Sequence, residues 1–245
     1  MNKKSLYLIL SYGLFLGWLL SFLYNGPALD IIFNNHNINL SYLATAYILT
    51  PSIIFFFIGF YNIKEKHKAT FMKYSVLVSL IGTILSILLK DSNNSVLIYI
   101  LVGTMGIFSV LFIAGWGCYF VELLDNKNMY KYMAYVICLG NIFFHTNEVL
   151  KSQGLNIIII ISLFLCLVGS YYSTSNLVTA AKEIRPKFNI ELPIDLVVMM
   201  CFLMFLLNVG GGMVQVLVSP LAESSFENIH ILDISIYIII FVLIY

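Results

Sequence analysis

Long apolar stretches, separated by short polar segments, run along nearly the whole chain. An α-helix of about 20 residues crosses the roughly 30 Å hydrocarbon core of a bilayer, and stretches of about this length recur throughout. They predict eight membrane spans, at residues 5–25, 40–60, 70–89, 96–121, 130–149, 156–175, 196–219 and 231–245. The last of these is the shortest.

Composition supports this interpretation. The chain is 60% hydrophobic and only 10% charged, and its mean hydropathy is +0.94. Soluble domains average about 45–50% apolar and about 25% charged residues. We therefore expect an all-α integral membrane protein that has the lipid bilayer as a partner. The net charge of +1 gives no reason to expect a nucleic-acid partner.

The basic residues predict an orientation. Cytoplasmic segments of membrane proteins carry most of the Lys and Arg. If the N-terminus is cytoplasmic, the predicted outer loops contain only Lys90 and Lys151. The predicted inner segments contain all the others, namely Lys3, Lys4, Lys64, Lys66, Lys68, Lys73, Lys127, Lys131, Lys182, Arg185 and Lys187. We expect a multi-pass protein of the cell membrane with a cytoplasmic N-terminus.

A polar segment at residues 176–195 separates six spans from the last two, and a repeated pattern lies on either side of it. "GPALDIIFNN" at residues 26–35 shares its Pro, acidic, Phe and Asn positions with "SPLAESSFEN" at residues 219–228. We therefore expect a six-helix transmembrane bundle at 1–175, a cytoplasmic linker at 176–195 and the start of a second bundle, with spans 7 and 8, at 196–245.

A six-span unit that restarts in the same orientation resembles the major facilitator superfamily, whose two halves are parallel repeats. The stretch "GPALDIIFNNHNINLSYLATAYIL" resembles that family's junction of spans 1 and 2, where a proline closes the first helix and a short outer loop follows. In "GFYNIKEKHK", Gly59 and Lys64 fit the family's motif between spans 2 and 3, whereas Ile63 and Lys66 replace an acid and a glycine. The resemblance implies a major-facilitator-like six-span bundle followed by the first two spans of a second bundle.

The family has twelve spans, so the resemblance also implies a missing C-terminal segment. A truncated product or one piece of a longer reading frame is the expectation, and a genuine eight-span protein is the alternative. Because the cavity of that fold forms between two complete bundles, we expect residues 1–245 alone not to transport.

Polar side chains within the predicted spans mark candidate functional positions, because polar groups in a bilayer face a cavity or a partner helix. Span 5 carries Cys138, Asn141, His145 and Glu148 at steps of three, four and three, which form one stripe on a helix. The resemblance implies that helices 1, 4 and 7 line a central cavity with helices 2 and 5. The substrate-cavity candidates are Trp18, Asn25, Trp116, Tyr119, Asn141, His145, Asn208 and Gln215.

Each candidate also has a structural alternative. For Trp18 and Trp116 the alternative is a lipid-facing or structural position. The small polar residues of span 3, Ser75, Ser79, Thr83 and Ser86, are typical of helix packing. Lys64 and Glu122 lie at the same predicted membrane face and are candidates for an inner gate. The alternative for this pair is two solvated charges without a shared role.

Other chemistries have little support in the sequence. The four cysteines lie in separate spans without CxxC spacing, so neither a metal site nor a disulfide framework is expected. No phosphate-binding loop and no nucleophile–base constellation are present, so we expect neither a cofactor nor an enzyme. Two function classes remain. The first is a secondary transporter that moves an unknown small solute by alternating access, and the second is a non-transporting membrane sensor or anchor domain with the same fold.

Overall fold

The computed structural model describes residues 3–23, 26–33, 50, 53–54, 65–90, 95–123, 126–181 and 238. Within these residues all regular structure is helical, which confirms the predicted all-α class. The helices are α1 (Lys3–Phe22), α2 (Pro27–Phe33), α3 (Glu65–Leu88), α4 (Ser95–Leu123), α5 (Asn126–Ser152) and α6 (Asn156–Ala181). Predicted spans 2, 7 and 8 lie outside the described residues, except for a few isolated positions.

Four of these helices are long and apolar enough to cross a membrane, which supports a membrane protein. These segments are Lys3–Phe22, Lys68–Leu88, Ser95–Leu123 and Asn156–Thr179. They correspond to predicted spans 1, 3, 4 and 6. The fifth long helix, α5, covers predicted span 5 and has 27 residues, but it does not belong to this apolar set.

Helix α1 is the centre of the described bundle and contacts α2, α4, α5 and α6. It runs parallel to α5, since Gly13 faces Leu139, Gly17 faces Phe143, and Ser21 bonds to Asn147. These glycines let the two backbones approach closely. A Cβ on Gly17 would lie 2.8 Å from the Phe143 Cβ. Small residues at four-residue spacing commonly create such contacts between membrane helices.

The other helices alternate in direction around α1. Helix α4 is antiparallel to α1, because Trp116 bonds to Leu8 while Phe112, one turn earlier, stacks on Phe15. Helices α3 and α4 are also antiparallel, since Gly82 faces Met105 and Gly115 faces Met72.

A tight turn through Gly154, whose φ is 72°, connects α5 to α6. A positive φ of this size favours glycine. Helices α1, α3 and α5 therefore run one way, and α4 and α6 run the other. We call the end of the bundle where α1 begins the lower end, and the end where α1 finishes the upper end.

The stretch after α1 differs from its predicted form. The sequence indicated a short loop after a helix-closing proline, but Pro27 is the first residue of α2, the position where its missing N–H has no cost. Gly26 precedes it because a Cβ there would collide with the Leu20 and Ser21 carbonyl groups. Helix α2 packs against the upper ends of α1, α5 and α6.

The outer surface of the bundle is apolar, as a lipid environment requires. Large exposed side chains on α6 recur every three or four residues, and comparable side chains lie on α3 and α4. They include Ile157, Ile161, Leu165, Val168, Tyr172, Ile81, Leu88 and Ile100.

Candidate functional site

Trp18 and Trp116, two of the cavity candidates, lie in an aromatic core between α1 and α4. Trp18 is fully buried, and its Nε1 donates a hydrogen bond of 3.0 Å to Thr83 Oγ1. Trp116 is buried as well, and its Nε1 donates to the Leu8 carbonyl oxygen at 2.9 Å. Tyr12 packs against Trp116 with ring centroids 4.5 Å apart.

These contacts give both tryptophans a packing role. A buried indole N–H needs a hydrogen-bond acceptor, and both indoles have one inside the bundle. Tyr119 lies one turn from Trp116 at the margin of this core and is 9% exposed. A solute-facing role for these three residues remains a prediction.

The small polar residues of α3 also pack. Ser75, Ser79, Thr83 and Ser86 are all fully buried. The hydroxyls of Ser75, Thr83 and Ser86 donate to carbonyl oxygens one turn earlier in the same helix. The predicted packing role of these residues agrees with their burial.

The polar stripe predicted on α5 is present, and its members differ in exposure. Cys138 and His145 are buried, whereas Asn141 and Glu148 are half-buried. Asn141 Nδ2 donates to the Ile137 carbonyl oxygen at 2.8 Å. This hydrogen bond does not involve the side-chain oxygen of Asn141. His145 lies edge-on to Phe144, with ring centroids 5.1 Å apart. The stripe runs from the middle of α5 to the upper end.

At the lower end, Glu122 forms an ion pair that joins α3 to α4. Lys68 Nζ lies 2.9 Å from Glu122 Oε1, and the two side chains are 14% and 30% exposed. The gate partner predicted from the sequence for Glu122 is Lys64, which lies four residues before Lys68. Lys64 lies outside the described residues, so its pairing with Glu122 remains a prediction.

At the upper end, the structure assembles a charged cluster that the sequence analysis did not identify. Lys151, in the last turn of α5, forms an ion pair with Asp30 of α2. Glu148, one turn earlier on α5, lies within electrostatic range of both groups. Next to it in the chain, Asn147 Nδ2 donates to Ser21 Oγ of α1 at 2.9 Å.

The sequence contained a weak signal for this cluster. Asp30 was noted as an acidic position that Glu223 repeats, and Lys151 as a basic residue outside the predicted inner segments. Nothing in the local pattern connects the two, because 121 residues separate them along the chain.

The remaining site predictions lie where the structure gives no description. These residues are Asn25, Asn208 and Gln215. Among the described residues, no group of three or more His, Cys, Asp or Glu side chains is placed to hold a metal ion.

Comparisons with family models, curated proteins and solved structures found no match to this chain.

Proposed function

We propose that this chain is part of a secondary-transporter-like membrane protein that moves a small solute by alternating access, with an arrangement similar to the major facilitator superfamily. In this proposal the described helices are the larger part of a six-span bundle, and the N-terminus is cytoplasmic. If the predicted spans cross the membrane in alternating directions, spans 1, 3 and 5 run one way and spans 4 and 6 run the other. The helices that coincide with these spans, α1, α3, α5 and α4, α6, have these directions.

The observation that carries the proposal is the polarity of α5. This helix packs along α1 within a group of apolar helices, yet it contains Asn141, His145, Asn147 and Glu148 within two turns. Polar and ionisable groups inside a membrane are costly, and they commonly mark a solute or ion pathway. Asn147 is accounted for by its bond to Ser21, whereas Asn141 and Glu148 lie on the less buried side of the helix.

A non-transporting sensor or anchor is the second candidate. The dense packing of Trp18 and Trp116 favours it, because two of the residues expected to line a cavity already have partners inside the bundle. A difference in access to Asn141 separates the two functions. Alternating access opens a central position to one side of the membrane and then to the other, whereas an anchor has no such cycle.

The test is cysteine labelling of the product of the full reading frame in sealed membrane vesicles of both orientations, in a background without native cysteines. Under the transport proposal, Asn141→Cys reacts with a membrane-impermeant maleimide from both sides. The matched control is Leu165→Cys on α6, a large apolar position that is 64% exposed and faces outward. The control is expected to react from neither side.

Reaction of Asn141→Cys from one side only, or from neither, would contradict alternating access and favour the anchor. Equal reaction at Asn141→Cys and Leu165→Cys would show that the reagent reaches the lipid-facing surface. In that case the polar stripe would not be a distinct aqueous path.

A further inference from the structure

Helix α2 is a short helix whose buried residues are all apolar and which contains one charged residue. Its buried residues are Pro27, Ala28, Leu29, Ile32 and Phe33. They pack on the upper ends of α1, α5 and α6, so the helix covers the ends of these three helices. Asp30 is its only ionisable residue, and its carboxylate is directed to Lys151 of α5.

Lys151 has one carboxylate in contact and a second one nearby. Asp30 belongs to α2, whereas Glu148 lies on α5 itself, three positions before Lys151. Residues three or four apart on a helix are neighbours on its surface, and the charge on Glu148 is influenced by both Lys151 and Asp30. Lys151 therefore contacts one acid, Asp30, and has a second acid, Glu148, nearby on its own helix. Of the two pairings, only the one with Asp30 connects α2 to the bundle.

The surroundings of this cluster contain few other charges. Within the described residues, the nearby titratable group on α5 is His145, one turn below Glu148, and it is buried. The upper end of α1 contributes Ser21, which is uncharged and bonded to Asn147. The adjoining end of α6 begins with Asn156 and a run of isoleucines.

We propose that Lys151 exchanges between Asp30 and Glu148, and that this exchange latches and releases α2 as a lid over the upper end of the bundle. When Lys151 pairs with Asp30, the lid is closed, as in the structure. When Lys151 pairs with Glu148 instead, α2 loses its ion pair to α5 and is held by its apolar contacts alone. The inference goes beyond the proposed function, because it holds for a transporter and for a sensor.

The apolar contacts of α2 set the size of the effect. Five buried side chains hold the lid more strongly than one half-exposed ion pair does. Loss of the pair therefore shifts the balance between closed and open forms without removing the lid. We expect about a fivefold rise in the open population, the effect of one partly shielded ion pair.

The test measures the rate at which Leu29→Cys reacts with a water-soluble maleimide in the full chain without native cysteines. Leu29 is 1% exposed, so its reaction reports the opening of α2. Asp30→Asn and Lys151→Met should each raise the rate about fivefold. The double variant should match the single variants, since all three lack the same interaction.

Glu148→Gln distinguishes a shared lysine from an ordinary ion pair. It removes the competing acceptor, so the lid should stay closed longer and the rate should fall. Two controls accompany it. Gln153→Cys, in the exposed turn after α5, reports reagent access at the same end. Lys68→Met breaks the ion pair at the opposite end and should leave the Leu29→Cys rate unchanged.

An unchanged rate in Asp30→Asn would overturn the latch. A rate in Glu148→Gln that stays unchanged or rises would overturn the sharing of Lys151. Thermal unfolding in detergent separates these outcomes from misfolding. A variant whose rate at Gln153→Cys and midpoint of unfolding match the parent, but whose Leu29→Cys rate rises, supports the lid.

Discussion

At the scale of single residues, two buried polar side chains bond to the backbone of helix α1 from neighbouring helices. Trp116 donates to the Leu8 carbonyl oxygen, and Ser170 Oγ donates to the Ser11 carbonyl oxygen at 2.7 Å. A carbonyl oxygen has two lone pairs, so it can accept such a bond while keeping its helical one. Helix α1 therefore anchors α4 and α6 through its backbone as well as its side chains.

The ion pair at the lower end yields a prediction at this scale. Glu122→Gln and Lys68→Met should each destabilise the protein in detergent, and the double variant should lose less than the sum of the two. We expect a coupling free energy on the order of 1 kcal/mol, because the pair is partly shielded from solvent. A double-mutant cycle on the unfolding free energy measures it.

The same cycle with Lys64→Gln tests the pairing that the sequence predicted. Coupling between Lys64 and Glu122 would show that two lysines share the acid. Additive effects in the Lys68 cycle would mean that the observed ion pair contributes nothing to stability.

At the scale of helices, the close approach of α1 and α5 depends on glycines whose neighbours cannot move away. A Cβ on Gly17 would lie 2.8 Å from the Phe143 Cβ, which is fixed to the α5 backbone. Gly17→Ala should therefore push the helices apart and destabilise the protein by about 1–3 kcal/mol.

Gly117→Ala on α4 is the matched control, since a Cβ there meets nothing within 4 Å. It should be neutral or stabilise the protein by up to about 1 kcal/mol, because alanine is the better helix former. Both values come from unfolding in detergent. Equal effects of the two substitutions would contradict a specific α1–α5 contact.

The long helices were predictable from sequence because hydrophobic length alone defines a membrane span. Predicted spans 1, 3, 4 and 6 each coincide with a helix that is apolar enough to cross a membrane, and the end points agree within a few residues in most cases. Predicted span 5 coincides with α5, which is more polar. Helix α6 is the exception, since it continues to Ala181 into the segment assigned to the linker.

Helix α2 and the upper charged cluster were not predictable. With seven residues, α2 is too short to show a clear period, and tertiary contacts rather than propensity hold it. The Asp30–Lys151 pair depends on how α1, α2 and α5 pack, which local pattern does not encode. The positions of Trp18 and Trp116 were not predictable either. A tryptophan side chain is compatible with a lipid-facing, cavity-lining or core position, and only the packing of α4 on α1 distinguishes these positions.

At the scale of the whole molecule, the two ion pairs mark opposite ends of the bundle. The Glu122–Lys68 pair lies at the lower end, and the Asp30–Lys151 pair lies at the upper end, with apolar helix surfaces between them. This separation is what a membrane-spanning bundle requires, since charged groups lie where helices meet water. The proposed orientation assigns the lower end to the cytoplasm.

Cysteine-accessibility mapping in intact cells and in opened membranes tests this account most directly. With native cysteines removed, Lys66→Cys and Lys187→Cys should react with an impermeant reagent only after the membrane is opened. Asn35→Cys and Asn93→Cys should react in intact cells. Reaction of Asn35→Cys from the cytoplasmic side would contradict the orientation and the alternation of spans on which the proposed function depends.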